Sequence, residues 1–174
     1  MKKILVAVDL QKDFVDGALG TAEAVEMLPR AVEYIKGFDG ELYFTLDTHT
    51  EDYLNTSEGR KLPVVHCVKG TDGWQLAAPV KALADTLPCT VVEKPSFGST
   101  ELPALIKERC NGEELDITLL GLCTDICVIS NAMILKAWFP EARIAIESAC
   151  CAGVTPESHE NALKAMAMCQ MDIR

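Results

Sequence analysis

The sequence predicts an α/β protein with a doubly wound, mostly parallel sheet and helices on both faces, and three observations carry that prediction. Short, continuously apolar segments of strand type alternate with longer amphipathic segments five times along the chain. The strand-type segments lack the polar alternation of a half-solvated sheet, so both faces must be covered, and βαβ crossovers supply the covering helices. The composition, 49% hydrophobic and 24% charged over 174 residues, suits a single packed domain spanning residues 1–174.

In chain order, residues 4–8 (Ile-Leu-Val-Ala-Val) form the first strand, ended by Asp9, and 22–38 the first helix. Residues 42–46 and 74–84 make the second strand and helix, 90–92 and 101–110 the third pair. Residues 117–120 and 125–138 follow, then 144–146 and 156–168, with a last short strand at 171–173. The connection from Asp47 to Gly73 breaks this rhythm. About 27 residues separate a strand from its helix, and long loops in compact domains usually carry function.

The charge narrows the function classes. With 16 Lys+Arg against 26 Asp+Glu the net charge is −10, and no basic cluster is present. Nucleic-acid binding depends on cations that neutralise phosphates, so none is expected. The first apolar run is far too short for a signal-peptide core or a membrane span, which predicts a cytoplasmic protein with no membrane partner. Eight cysteines occur without a zinc-type CxxC pair, so in a reducing compartment they are expected as free thiols packed like small hydrophobes. The neighbours Cys150 and Cys151 are poorly placed for a mutual disulfide.

In open α/β sheets ligands bind beyond the carboxyl ends of the strands. Four strand ends deliver reactive side chains there: Asp9, the segment Asp47-Thr48-His49, Lys94 ahead of Phe97, and Cys123-Thr124-Asp125-Ile126-Cys127. Singly, each has a structural alternative, such as a turn or cap aspartate or a buried thiol. If a helix starts near Thr124, Cys127 lies in its first turn. The positive helix end and Lys94, the one lysine at a strand end, are then expected to lower its thiol pKa. Asp9 can serve as general base and later as acid. In the long loop, Asp47 and His49 share a face of the extended chain, and His66 can complete a mixed nitrogen and oxygen site for zinc, iron or manganese. Two polar surface histidines are the structural alternative.

Together these segments resemble the isochorismatase-like cysteine hydrolases. The resemblance rests on Asp9 in Val-Asp-Leu-Gln-x-Asp-Phe, Lys94 in Glu-Lys-Pro-x-Phe-Gly-Ser, and Gly121-x-x-Thr124-Asp125-x-Cys127-Val128. Asp47-x-His49 followed by His66-Cys67-Val68-x-Gly70-Thr71-x-Gly73 is similar to the nicotinamidase branch. The resemblance implies a parallel six-stranded sheet and a triad of Asp9, Lys94 and Cys127. It also implies a cis peptide at Leu122–Cys123 and an oxyanion hole from the N–H groups of Cys123 and Cys127. The implied metal ligands are Asp47, His49 and His66, with Glu58 the nearest candidate for a fourth, and the ion is divalent: zinc first, with iron or manganese as alternatives. Phe14 matches an aromatic position that packs on the substrate ring, and Pro63 and Phe97 join it as candidate substrate contacts. Relatives form dimers and tetramers, which implies a homo-oligomer. The chain departs from the pattern at Pro63, where the family commonly has an aromatic, and at Cys123, where it has a smaller residue.

The implied activity is a metal-assisted amidohydrolase that converts nicotinamide, or a similar small carboxamide, to the acid and ammonia through a thioester. Two alternatives stay open: a hydrolase of another small amide or ureide, such as an N-carbamoyl compound, and a non-catalytic metal or thiol sensor using Cys123 and Cys127.

Overall fold

A computed structural model describes all residues, 1–174. Strand β1 (Lys2–Val8) leads through a short turn of helix, α1 (Lys12–Val15), to the long α2 (Ala22–Gly37). After β2 (Glu41–Asp47) come a 3-10 turn (Tyr53–Asn55), α3 (Ser57–Lys61) and α4 (Ala78–Ala84). The pairs β3 (Cys89–Lys94) with α5 (Glu101–Cys110) and β4 (Leu115–Leu122) with α6 (Ile129–Trp138) follow. A wide, π-type turn (Thr124–Val128) stands between β4 and α6. The chain closes with β5 (Arg143–Ala152), α7 (Pro156–Met168) and β6 (Asp172–Ile173). No helix is long and apolar enough to cross a membrane.

The six strands form one parallel sheet in the order β3-β2-β1-β4-β5-β6. Chain progress reverses between β1 and β4, the switch point where the diverging connections leave a crevice. Helix α2 packs on α4, while α5 meets α6 and α6 meets α7. That grouping is what right-handed crossovers produce when the chain winds outward in both directions. The middle of the sheet is dry: Ile4, Leu5, Val6, Val8, Phe44, Ile117, Leu119 and Leu120 are fully buried. At about 25 cal/mol per Å² of apolar surface removed from water, such side chains supply the main drive for collapse.

The sheet and most predicted helices appear near where the apolar pattern places them, with differences that include a π-type turn in place of the first residues of the helix predicted over 125–138. The helix predicted over 74–84 begins only at Ala78, because Lys12 N–H bonds the Gln75 carbonyl and Leu76 bridges Gln11 as an added strand segment. The strand predicted at 144–146 runs on to Ala152 through an irregular register opposite Leu119 and Gly121. The long loop is partly ordered into the 3-10 turn and α3, which the sequence reading did not contain. Thr56 caps α3 by accepting the Gly59 N–H, and a Cβ on Gly59 would stand 2.1 Å from the Tyr53 carbonyl oxygen. Glycine thus allows the close approach that turns α3 and its Glu58 towards the sheet.

The switch point depends on one other glycine. Gly121 has φ +121°, and a Cβ there would lie 2.1 Å from the Val8 carbonyl oxygen. Gly121→Ala is expected to cost about 3 kcal/mol or more, since both conformation and contact oppose a side chain. Chemical denaturation reads this directly, and a wild-type midpoint would show that β1 and β4 can separate without loss.

Candidate active site

The reactive side chains named from sequence converge at the carboxyl ends of β1, β2, β3 and the segment after β4. Asp9 follows β1, Asp47 and Lys94 end β2 and β3 in register with each other, and Cys127 lies in the π-type turn after β4. Lys94 is fully buried. Its Nζ lies 2.7 Å from Asp9 Oδ2 and 3.3 Å from Asp47 Oδ1, and it donates to the Ser96 carbonyl at 3.0 Å and to Cys127 Sγ at 3.4 Å. Burial alone would lower this ammonium's pKa. Asp9, Cys127 and Asp47 around it outweigh burial and hold it well above its ordinary value.

Cys127 departs from the sequence expectation. It sits before α6 rather than in that helix's first turn, and burial pushes its thiol well above the ordinary value. Asp9 adds to that push and Lys94 opposes it. Lys94 is already shared with two carboxylates, so it cannot by itself sustain a resting thiolate. Burial also raises the Asp9 carboxyl, with Lys94 opposing and Asp47 reinforcing. Burial thus favours the neutral thiol of Cys127 beside an Asp9 carboxyl whose basicity burial enhances.

The turn that carries Cys127 is tied on every side. The Leu122–Cys123 peptide bond is cis. The Cys123 carbonyl accepts the N–H groups of Ile126 and Val128, so neither bond uses the Cys127 N–H. Asn131, buried on α6, donates to the Cys127 carbonyl at 2.8 Å and to the Phe97 carbonyl at 3.2 Å, and accepts the Ser99 N–H at 3.0 Å. The third histidine, His159 on α7, hydrogen-bonds Thr124 at 2.8 Å.

Next to the triad, Asp47, His49 and His66 are buried, with ligand atoms that all lie within 4.8 Å of one another. Asp47 Oδ2 is 3.0 Å from His49 Nε2 and 3.6 Å from His66 Nε2. Glu58 Oε1 reaches to 3.7 Å and 3.8 Å from the same two nitrogens. His66 Nδ1 lies 2.7 Å from the Val64 carbonyl, which can only accept, so Nδ1 carries the proton and Nε2 presents its lone pair. His49 Nε2 is buried without a hydrogen-bond partner. Donors around a tetrahedral ion bound at about 2.0–2.2 Å stand about 3.3–3.6 Å apart, within the spread of 3.0–3.8 Å found here. The orphaned nitrogen, the oriented tautomer and these separations fit a divalent cation.

Several residues that build this cluster were not named from sequence. Gln11 holds the main chain of Asp47 from both sides, accepting its N–H at 2.7 Å and donating to its carbonyl at 2.9 Å. Asp13 accepts the Cys67 N–H at 2.8 Å and so fixes the chain beside His66. Tyr53 is buried edge-on against His66, with centroids 4.9 Å apart, and donates to the Leu62 carbonyl. Gln11 and Asp13 fall in the Val-Asp-Leu-Gln-x-Asp-Phe motif, so spacing marked them; nothing local marked Tyr53.

Cys127 and the ligand candidates Asp47 and His66 open into one cavity of about 320 Å³. Its reactive side holds Asp47, Glu58, His66 and Cys127; its walls are Phe14, Leu19, Leu62, Phe97, Ile126 and Val154, with Cys123 beside the thiol. Phe14 meets His66 edge-on at 5.5 Å, and Phe97, 42% exposed, stands at the rim. Pro63 does not line the cavity. It is exposed, and Leu62 takes the wall position because the Tyr53 bond holds this stretch by the Leu62 carbonyl. A depression of about 640 Å³ near Lys3, Asp116 and Arg143, at the amino ends of the strands, holds none of these groups.

Comparison with known proteins agrees with this geometry. Residues 3–173 match the isochorismatase domain family. An uncharacterized isochorismatase family protein, PncA of Bacillus subtilis strain 168, is 30% identical over 177 residues, covering 94% of this chain and 93% of the relative. The crystal structure of a nicotinamidase/pyrazinamidase PncA from Bacillus subtilis superposes with a TM-score of 0.81 at 27% identity, covering 99% of both chains. A pyrazinamidase of Pyrococcus horikoshii in complex with zinc gives a TM-score of 0.83 at 25% identity, covering 100% of this chain and 99% of the other. With nearly the whole chain matched and the reactive residues gathered at the sheet's switch point, the chain belongs to the isochorismatase family.

Proposed function

We propose that the protein hydrolyses nicotinamide, or a small aromatic carboxamide of the same shape, to the carboxylic acid and ammonia. The observation that carries this reading is one ligand-sized cavity lined by Cys127 together with Asp47, Glu58 and His66, with Lys94 and Asp9 buried behind the thiol and His49 behind the other two ligand candidates. The protein is an amidohydrolase for carbon–nitrogen bonds, as its structural relatives named nicotinamidase and pyrazinamidase indicate.

In the proposed reaction, Asp9 takes the Cys127 proton as Sγ attacks the carboxamide carbon. Lys94 keeps the ammonium charge beside both groups, which limits the cost of charge developing on sulfur and on the Asp9 carboxyl. As the carbon–nitrogen bond breaks, Asp9 returns the proton to the leaving ammonia and a thioester remains on Cys127. Asp9 then removes a proton from water, which attacks the thioester; the carbon–sulfur bond breaks, the thiol is reprotonated and the acid leaves. The N–H groups of Cys123 and Cys127 are the proposed donors to the oxyanion in both halves. Asp47, His49 and His66, with Glu58 alongside, would hold a divalent ion such as zinc. That ion would supply a Lewis-acid contact for a ring nitrogen of the substrate and so orient the carboxamide. Phe14 and Phe97 would cover the ring, with Leu62 in the place expected of Pro63.

The cavity disfavours the two alternatives. An N-carbamoyl compound bearing a carboxylate would meet the apolar walls Leu19, Leu62, Ile126 and Val154, with no lysine or arginine side chain among the lining residues to pair with it. A thiol sensor needs an accessible low-pKa thiolate. Burial instead pushes Cys123 up to about 12 and raises Cys127 as well.

Three measurements test this reading. Cys127→Ala is expected to lower kcat/KM for ammonia release from nicotinamide by about four orders of magnitude or more with the fold intact by circular dichroism; residual activity near wild type would remove Cys127 as nucleophile. His49→Ala is expected to lose its bound metal by elemental analysis and to raise KM more than Cys123→Ser does. Unchanged metal content would take His49 out of the ligand set. Asp9 must be ionised to accept the thiol proton, and its pKa is raised. The acid limb of kcat/KM, recorded with bound metal checked at each pH, should therefore lie above the ordinary aspartate range and fall as pH drops; a limb near the usual value would separate it from Asp9.

A further inference from the structure

Thr45 lies on β2, directly across from Val8 on β1, and is fully buried in a strand whose neighbours Phe44 and Leu46 are apolar. Valine would fill nearly the same space, so packing alone does not call for a hydroxyl there. The hydroxyl has two partners, both on Asp9. Oγ1 donates to Asp9 Oδ1 at 2.6 Å and accepts the Asp9 N–H at 3.2 Å, a consistent use of one proton and a lone pair. The same N–H lies 3.2 Å from the Thr45 carbonyl, so one residue grips both the main chain and the side chain of Asp9. Asp9 itself is in the left-handed region at φ 47°, where such anchoring matters.

We propose that Thr45 is the positioning residue of the proton-transfer step: its hydroxyl engages one oxygen of Asp9 so that the other is left to serve Cys127. The inference rests on the reading of Asp9 as the base. Thr45 and Lys94 are the two side chains that hold the Asp9 carboxylate. Asp9 Oδ2 is engaged by the Lys94 ammonium at 2.7 Å and by no other donor, so its second lone pair is the one left to take a proton. Without the hydroxyl, Oδ1 becomes a buried acceptor with no partner, which is costly. The carboxylate then turns to share the Lys94 ammonium between its two oxygens. Lys94 does not follow, because Asp47 and the Ser96 carbonyl hold it, and Oδ2 leaves its place beside the ammonium that also reaches Cys127 Sγ. Gln11 and Asn131 grip only main chain near the site, which distinguishes Thr45 from them.

The test compares Thr45→Val, which keeps the shape, with Thr45→Ser, which keeps the hydroxyl; Thr45→Ala replaces Thr45→Val if that variant does not fold. Each is assayed for nicotinamide hydrolysis with metal present, for bound metal, and for the rate of Cys127 alkylation by iodoacetamide at fixed pH. Thr45→Val is expected to lower kcat about 10- to 100-fold with KM within about twofold, to slow alkylation and to retain metal, and Thr45→Ser to recover most of both rates. Wild-type kcat and alkylation in Thr45→Val would overturn the proposal. So would a Thr45→Ser variant as slow as Thr45→Val, which would assign the effect to packing, or a loss explained by departed metal. If the wild-type protein leaves nicotinamide intact while alkylation still slows in Thr45→Val and recovers in Thr45→Ser, Thr45 keeps its role and only the substrate reading falls.

Discussion

A fully buried ammonium joins the two halves of this site. An unpaired charge in a dry interior is expensive, so Lys94 Nζ must be surrounded by groups that compensate it, and those groups are the ones the proposed reaction would use. Asp9 at 2.7 Å, Asp47 at 3.3 Å and Cys127 at 3.4 Å connect the acid–base pair to the first metal-ligand candidate through one nitrogen. Two carboxylates share the one ammonium. Burial leaves Asp9 more basic than an exposed aspartate and pushes the Cys127 thiol up.

The strand order makes this possible. In the sequence β3-β2-β1-β4, the four strands that deliver Lys94, Asp47, Asp9 and Cys127 are consecutive neighbours, and the reversal between β1 and β4 opens the crevice in which they meet. The outer wall comes from the long connection after β2, whose α3 and 3-10 turn carry Glu58 and Tyr53 and whose return brings His66 beside His49. Strands supply the rigid reacting groups, and the loop supplies the enclosing ones.

Much of this was legible in sequence. Apolar runs that stop at a charged residue marked strand ends, and ligands gather at the carboxyl edge of a parallel sheet, so Asp9, Asp47, Lys94 and Cys127 stood out together. The loop's length and its Asp-x-His spacing marked the metal cluster, and Glu58 lies beside it. Residues recognised only through three-dimensional partners were not legible. Thr45 reads as an ordinary β-branched strand residue until Asp9 stands opposite, and Tyr53 as a loop aromatic until both histidines close on it. Pro63 was expected in the wall by its offset from His66, but the Tyr53 bond to the Leu62 carbonyl turns Leu62 there instead.

The sequence by itself determined the layered α/β class, the order and approximate places of the elements and the candidate reactive side chains, because periodicity, turn residues and strand-end chemistry are local signals. Only the tertiary structure decided which way its surroundings push the Cys127 thiol. A helix start and a nearby lysine favour a thiolate when considered alone, but desolvation and the sharing of Lys94 with Asp9 and Asp47 reverse that preference. Burial and charge sharing are sums over neighbours far apart in the chain, and no local pattern records them.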